Sequence, residues 1–458
     1  MIFIQLIALM VIAFANYNYE HKNFYSPSVL LSCVGCVCTA FCIINYKNWN
    51  MSEYGIYTVV IVILAVISFS LASHVTSKIS ISKRKNFVKS YNQIVVQKSK
   101  IISYEIPTWF TLLVSIVIGI NTYQYFKQVI YIAGVARSMY SVKTYDMLWY
   151  FKNVDTGLSV DFITSNLTDI GYAFSYLYLF FFLYNVISTK RIIKYLPYCI
   201  PCAIYAVQSV LFGGRTGLLQ MITLMVVLIF YFMSSIYNIK LSNIMKKYMK
   251  KILIIVFVGL FVFVLLNNIS GRSQSNMSFF YYISVYIGSG LKNFDTFLKS
   301  FNRSFVNKSF GWETFGGIYT FLNRFMDIDY DGLVLEFQPR LNNLFMGNVY
   351  TALRRYYYDF EILGIIVLPA FSGTVISFSE KQARKAISQL NIKSKAIDEA
   401  KCIIYGILVY AVVLFFIEDF FYINVMSVNY ILKIIEILFG NWILIKTKIV
   451  KRIGRSNK

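Results

Sequence analysis

The chain has 458 residues, of which 57% are hydrophobic, with a mean hydropathy of +0.59 and a formal net charge of +23. Repeated apolar runs of 16 to 22 residues exceed what a soluble core needs and match the ~20 residues that cross a bilayer. An ordinary soluble domain is excluded, and a single all-α polytopic membrane domain spanning 1–458 is expected.

In chain order, eleven transmembrane helices are predicted: 2–16, 27–46, 54–73, 107–126, 166–187, 196–212, 218–237, 252–268, 361–379, 402–417 and 425–445. The first has no charged region before it and no small-residue cleavage site behind it, so it reads as an uncleaved span. The basic stretches then alternate. Loops 74–106, 188–195, 238–251 and 380–401, the tail after Ile445 and Lys22 fall on one face and carry 28 of the 44 Lys and Arg residues. Short basic loops stay cytoplasmic, so the C-terminus is predicted inside and the N-terminus outside. The charge is mostly a topology and anionic-lipid signal, not a nucleic-acid footprint.

All seven cysteines (Cys33, Cys36, Cys38, Cys42, Cys199, Cys202 and Cys402) sit inside predicted spans. Although two CxxC spacings occur, within apolar helices they read as small packing residues, and no disulfide framework is implied. The two histidines, His21 and His74, fall on the cytoplasmic side. Chemistry at the outer face must therefore do without imidazole, which excludes Ser-His-Asp and HExxH schemes there.

Three polar pieces face outward: 127–165, the turn Phe212–Gly217, and 269–360. The last is the most informative, with seven carboxylates, nine Lys or Arg and twenty-three aromatics. It is too aromatic to be a disordered linker, and helices or re-entrant pieces lying on or dipping into the bundle are expected. Helical apolar spacing runs from Asn276 to Ser300.

Arg215 stands in Gly-Gly-Arg-Thr-Gly between two spans, where flanking glycines let backbone N–H groups approach an anion closely. A snorkelling arginine in a tight turn is the simpler alternative. Ser270-Gly271-Arg272-Ser273 repeats the pattern, and two arginine forks on one face suit a pyrophosphate at the membrane surface. Arg354 and Arg355, just before the next span, are further candidates for the same anion.

Glu313, in Trp312-Glu313-Thr314, and Asp359, in Tyr358-Asp359-Phe360, set acids among aromatics. That setting suits a general base or a group that positions a sugar hydroxyl, and equally an interface acid paired with arginine. Asp327-Ile-Asp329-Tyr-Asp331-Gly332 opens like a calcium loop, but its twelfth position is Gln338 instead of glutamate, so it reads as a polar loop. The clusters Phe279–Tyr282 and Tyr356–Tyr358 offer stacking faces for sugars or packing surfaces for the bundle.

The runs Gly288-Ser-Gly-Leu-Lys-Asn293-Phe294-Asp295, Gly311-Trp312-Glu313-Thr314-Phe315-Gly316-Gly317, Asn348-Val-Tyr350-Thr351-Ala-Leu and Tyr358-Asp359-Phe360-Glu-Ile-Leu-Gly364 together resemble the O-antigen polymerase (Wzy-type) family over roughly 100–440. Gly214-Arg215-Thr216 is similar to its arginine turn. The resemblance implies a GT-C-like inner-membrane glycosyltransferase. Such an enzyme elongates undecaprenyl-pyrophosphate-linked glycans on the periplasmic face, without an obligatory metal or other cofactor and with a chain-length regulator as a possible partner. The expected roles are Arg215 and Arg272 on the donor pyrophosphate and Glu313 or Asp359 as base. Trp312, Asn348 and Tyr350 line the sugar groove, and Asn293, Asp295, Arg354 and Arg355 belong to the binding surface.

The reading has independent chemical support, because bond formation outside the cytoplasmic membrane needs an already activated donor, such as a lipid-pyrophosphate sugar. Preorganised arginines are the expected device for its developing charge. Two rivals stand beside it. An O-antigen ligase is expected to use an outer-loop histidine, which this chain lacks outside; a lipid-linked oligosaccharide flippase is expected to have shorter outer loops and more charges within its helices than Lys433 and Glu436.

Overall fold

The computed structural model describes residues 1–78, 101–139, 147, 150–151, 154, 156–211, 216–237, 259, 278–302, 309–323, 325–326, 328, 330, 335–336, 338, 341–342, 344, 346–390 and 395–455. Among these the principal helices are α1 (Ile2–Tyr19), α2 (Pro27–Ile44), α3 (Ile56–Lys78), α4 (Thr108–Met139), α5 (Phe162–Thr189), α6 (Cys199–Leu211), α7 (Thr216–Tyr237), α8 (Phe279–Ser300), α9 (Gly316–Leu322), α10 (Ala352–Leu390), α11 (Asp398–Leu414) and α12 (Val428–Lys446). The protein is an all-α polytopic membrane protein, with a two-stranded ribbon of β1 (Ile101–Glu105) and β2 (Lys451–Arg455) as an addition.

Eight of these helices (α1 to α5, α7, α10 and α12) are long and apolar enough to cross a bilayer. Each overlaps a span expected from hydropathy. Of the remaining three expected spans, 252–268 lies outside the described residues except for Gly259. The other two are helical but short: α6 has 13 residues and follows a 3₁₀ turn at Leu196–Tyr198, and α11 has 17.

The chain divides into two compact units. The first comprises 1–97, 277–382 and 408–431. Polar side chains tie its first three helices together, as they do where water cannot satisfy them. Asn16 on α1 donates to Ser28 O at 3.2 Å, Ser32 Oγ at 3.0 Å and Ser70 Oγ at 2.9 Å, while Gln5 donates to Thr39 at 3.0 Å. His74 bridges Glu20 and Asn16, each at 2.9 Å.

Helix α8 realises the apolar spacing expected from residue 276 onward. Ser278 caps it by accepting the Tyr281 N–H at 3.3 Å. Its run Ser284, Gly288, Ser289, Gly290 is small enough for close backbone approach: a Cβ at Gly290 would stand 2.5 Å from Phe416 O, and Cys42 on α2 donates to Gly288 O at 3.1 Å. Helix α8 is thereby fastened to α2 and to the chain at Phe416.

Helix α10 is broken at Glu361, whose φ of 49° is left-handed, a strained setting for a residue with a side chain. A Cβ on Gly364 would overlap Tyr356 O, so only glycine permits the bend. The break separates the short helical piece carrying Arg354, Arg355 and Asp359 from the apolar remainder.

The second unit comprises 98–276, 383–407 and 432–458. Asp161 caps α5 through the Thr164 N–H at 2.9 Å, a standard device for the unsatisfied first turn. Ile101–Glu105 pairs antiparallel with Arg455–Lys451, joining two of the basic stretches that sequence places on one face. Asn185 brackets Tyr104 through its N–H at 2.8 Å and C=O at 2.7 Å. Buried Glu399 accepts from Tyr104 at 2.8 Å and Arg452 at 2.6 Å. All seven cysteines lie in helices as free thiols.

Candidate functional site

Within the first unit, Glu313 and Glu336 meet the start of α10 and build an acid–arginine cluster there. Arg354 is its centre. The residue is 5% exposed, and its guanidinium is walled by Phe297 at 4.5 Å, Tyr358 at 5.1 Å and Tyr350 at 5.6 Å from the ring centroids. One terminal nitrogen, Nη1, is paired with buried Glu313; the other, Nη2, meets Glu336 at 2.9 Å. The Nε atom makes no hydrogen bond among the described residues.

Arg355 faces the opposite edge of the same loop and donates to the Glu313 carbonyl at 3.1 Å, while its own carbonyl accepts from Thr314 Oγ1 at 3.3 Å. One helical turn on, Asp359 accepts the backbone N–H groups of Thr314 at 2.7 Å and Glu313 at 3.4 Å. The i, i+4 spacing puts Arg355 and Asp359 on one helix face, and that face grips Glu313-Thr314 from both sides. Glu313 therefore points at Arg354 because three backbone bonds hold its peptide in place.

The glycines on either side of the acid explain the local path. Gly311 has φ of 64°, and Gly317 lies so close to Ile423 O that a Cβ would overlap it. Trp312 stacks edge-on against Tyr330 at 4.9 Å and tilts against Tyr319 at 5.1 Å, while Tyr319 and Tyr330 lie parallel at 5.6 Å. The acid thus sits beside a three-ring aromatic wall.

A second wall comes from Glu336, Gln338 and Tyr350. Gln338 N–H donates to Gly347 O at 3.0 Å and Asn348 Nδ2 to Leu335 O at 3.5 Å, holding 335–338 alongside 347–350. Asn293 on α8 donates to Val349 O at 2.8 Å and Met346 O at 3.3 Å, which fixes Tyr350. Tyr350 in turn donates to Glu336 Oε1 at 3.1 Å.

Asp419 lies behind the cluster, 2% exposed. It accepts from Tyr356 OH and from the Tyr422 N–H, both at 3.1 Å. Burial pushes its carboxyl up to about 7, against the lowering pull of the Tyr422 N–H, Arg355 and Tyr356.

Of the residues expected from sequence, Trp312, Glu313, Asn348, Tyr350, Arg354, Arg355 and Asp359 come together here. Asn293 supports the cluster from behind. Asp295 does other work, accepting from Gly55 N at 2.8 Å and Thr58 Oγ1 at 2.7 Å and pairing with Lys299 at 2.9 Å, so it locks α8 to α3. Arg215, Arg272 and the acidic run Asp327, Asp329, Asp331 lie outside the described residues. Glu336 and Asp419 were not singled out from sequence. The one signal for Asp419 is the pair Glu418-Asp419 interrupting an apolar stretch, and Glu336 has none.

The second unit holds a cleft of about 210 Å³ lined by Glu105, Thr108, Thr111, Lys194 and Tyr198 among others, with Lys194 and Glu105 paired at 2.6 Å. It contains none of the candidate residues. No family model matches the chain, and no curated protein or solved structure matches it significantly.

Proposed function

We propose that the protein is a periplasmic-face polymerase of undecaprenyl-pyrophosphate-linked oligosaccharide repeat units, an inverting glycosyltransferase of the inner membrane with eleven spans and a GT-C-like plan. The observation that carries the reading is the buried Glu313–Arg354 pair, closed by the half-exposed Glu336, between aromatic walls. Arginines beside carboxylates suit a reaction that releases a pyrophosphate and takes a proton from a sugar hydroxyl, and aromatic faces suit the pyranose rings between them.

In this reading the acceptor hydroxyl oxygen attacks the anomeric carbon of the donor, and the bond from that carbon to the pyrophosphate oxygen breaks. The electron pair leaves with the pyrophosphate, whose negative charge Arg354 and Arg355 offset. The hydroxyl proton passes to a carboxylate. Glu313 is the better candidate, since both oxygens of Asp359 are engaged by backbone N–H groups. Arg215 and Arg272 keep the pyrophosphate-binding role expected from their glycine-flanked turns.

The test is complementation of a deletion strain followed by glycan analysis. Arg354→Ala and Glu313→Gln are expected to leave single repeat units on the acceptor lipid while the protein remains in the membrane, with rate losses on the order of 10²–10³. Repeats absent from the acceptor would indicate a ligase, and repeats trapped inside would indicate a flippase. Unchanged polymer in both variants would overturn the proposed roles. Arg215→Ala and Arg272→Ala test the glycine-flanked pair in the same way.

A further inference from the structure

The two carboxylates on Arg354 differ in kind. Glu313 is buried with it, whereas the Glu336 side chain is 50% exposed. Glu336 thus closes, from the solvent side, the outward edge of an otherwise enclosed guanidinium. The donors that meet it are oriented independently of it. Three rings hold the Arg354 plane, and Tyr350 accepts from Gln338 Nε2 at 2.5 Å, which leaves its own proton to point at Glu336 Oε1, 3.1 Å away. Tyr350 is itself fixed through Asn293 and the 346–349 backbone. Remove the carboxylate, and an arginine N–H and a phenol O–H still face the space that its two oxygens occupy.

Charge points the same way. Among the described residues, Glu313, Glu336 and Asp359 bring three carboxylates to two arginines, Arg354 and Arg355, so this set carries one acid more than its arginines balance. Releasing Glu336 restores the balance. The Glu336 carboxylate is half-exposed and already in contact with solvent, so an anion offering more oxygens to the same donors can displace it.

We propose that Glu336 is an internal stand-in for an acidic group of the ligand, and that Arg354 Nη2 and Tyr350 OH form an anion subsite which Glu336 vacates on binding. The group is a phosphate oxygen of the lipid-linked donor or the carboxylate of an acidic sugar. The subsite rests on the cluster being the ligand site, and its test uses free anions that need no transfer reaction.

The experiment is isothermal titration of the purified full-length protein in detergent with inorganic pyrophosphate and, separately, with glucuronate. Glu336→Gln is expected to bind one of the two about tenfold more tightly than the unaltered chain, equivalent to ~1.4 kcal/mol. Adding Tyr350→Phe should cancel most of that gain. Glu53→Gln, which neutralises an exposed acid on the short turn Met51–Glu53, controls for net charge and should gain nothing. A gain for pyrophosphate identifies a phosphate subsite, and a gain for glucuronate alone identifies a sugar-acid subsite. Equal gains in Glu336→Gln and Glu53→Gln, or no gain in Glu336→Gln, would overturn the proposal. Tighter anion binding with polymer assembly unaffected by Arg354→Ala would retain the subsite and reject the polymerase reading.

Discussion

Thr314 and Asp359 are joined by a 2.7 Å hydrogen bond from the backbone N–H of the first to the carboxylate of the second, and the same carboxylate takes the Glu313 N–H at 3.4 Å. This makes Asp359 the anchor of the acid's peptide. Asp359→Ala is expected to lose both bonds, at about 1.5–3 kcal/mol for a hydrogen bond to a charged group, lowering the melting temperature and activity together. Asp359→Asn keeps an acceptor oxygen and should retain part of both. If Asp359 were instead the base in the transfer, both variants would be equally inactive at unchanged stability. Thermal unfolding in detergent beside a glycan assay separates the two.

Asp419 gives the fold a pH dependence whose sign follows from its raised carboxyl, about 7 in the folded protein against ~3.9 in an unfolded chain. Between those values the native state holds a proton that the unfolded state has lost. Stability from this group is therefore complete below about pH 4, falls as pH rises toward 7, and levels off above it. Arg355, Tyr356 and Glu418 are the charged or titratable side chains that act on it. Asp419→Asn cannot ionise, so it should flatten this component of a melting-temperature profile taken from pH 4.5 to 8. An unchanged slope in the variant would assign the dependence to other groups.

The helices were legible because lipid imposes long apolar runs; their ends were less so, since α5 begins at Phe162 behind its cap Asp161 and not at 166. Much of the cluster was legible for the converse reason: Glu313, Arg354, Arg355 and Asp359 are charges set among aromatics with no evident surface role. Their partner Glu336 was not, since residues 335–338 follow neither helical nor strand periodicity and reach Arg354 only through pairing with 347–350. Asp419 was hidden by its position next to a span end, where an acid looks like a boundary. The ribbon pairs Ile101–Glu105 with Arg455–Lys451 across some 350 residues of sequence, and no local pattern encodes such a partner. Asp295 shows the opposite limit, a motif residue whose partners, Gly55 and Thr58, are structural.

Two glycines make a paired test of packing. A Cβ at Gly317 would overlap Ile423 O and come within 2.7 Å of Ser427 Cβ, whereas one at Gly119 in α4 meets nothing within 4 Å. Gly317→Ala should cost about 1–3 kcal/mol through backbone displacement and disturb the turn after Glu313. Gly119→Ala should be neutral, or gain up to ~1 kcal/mol from helix propensity. Melting temperatures of the two purified variants check this, and equal effects would show that the close approach to Ile423 is not maintained.

In the second unit, Lys433 on α12 pairs with Asp169 on α5 at 3.1 Å, and Lys433 also lies 5.4 Å from the Tyr172 ring centroid. Glu436 follows one turn later, with a buried Oε2 that has no hydrogen-bond partner among the described residues. Charged groups within spans cost ~2.5–3.5 kcal/mol when unpaired near the helix centre, so removing one member should be worse than removing two. Lys433→Met leaves both acids without their cation and is expected to cost about 2–3 kcal/mol on that scale. Lys433→Met combined with Asp169→Asn should recover much of the loss. A double-mutant cycle of unfolding free energies measures the coupling; purely additive losses would mean that the pair acts as two independent side chains instead of one interhelical link.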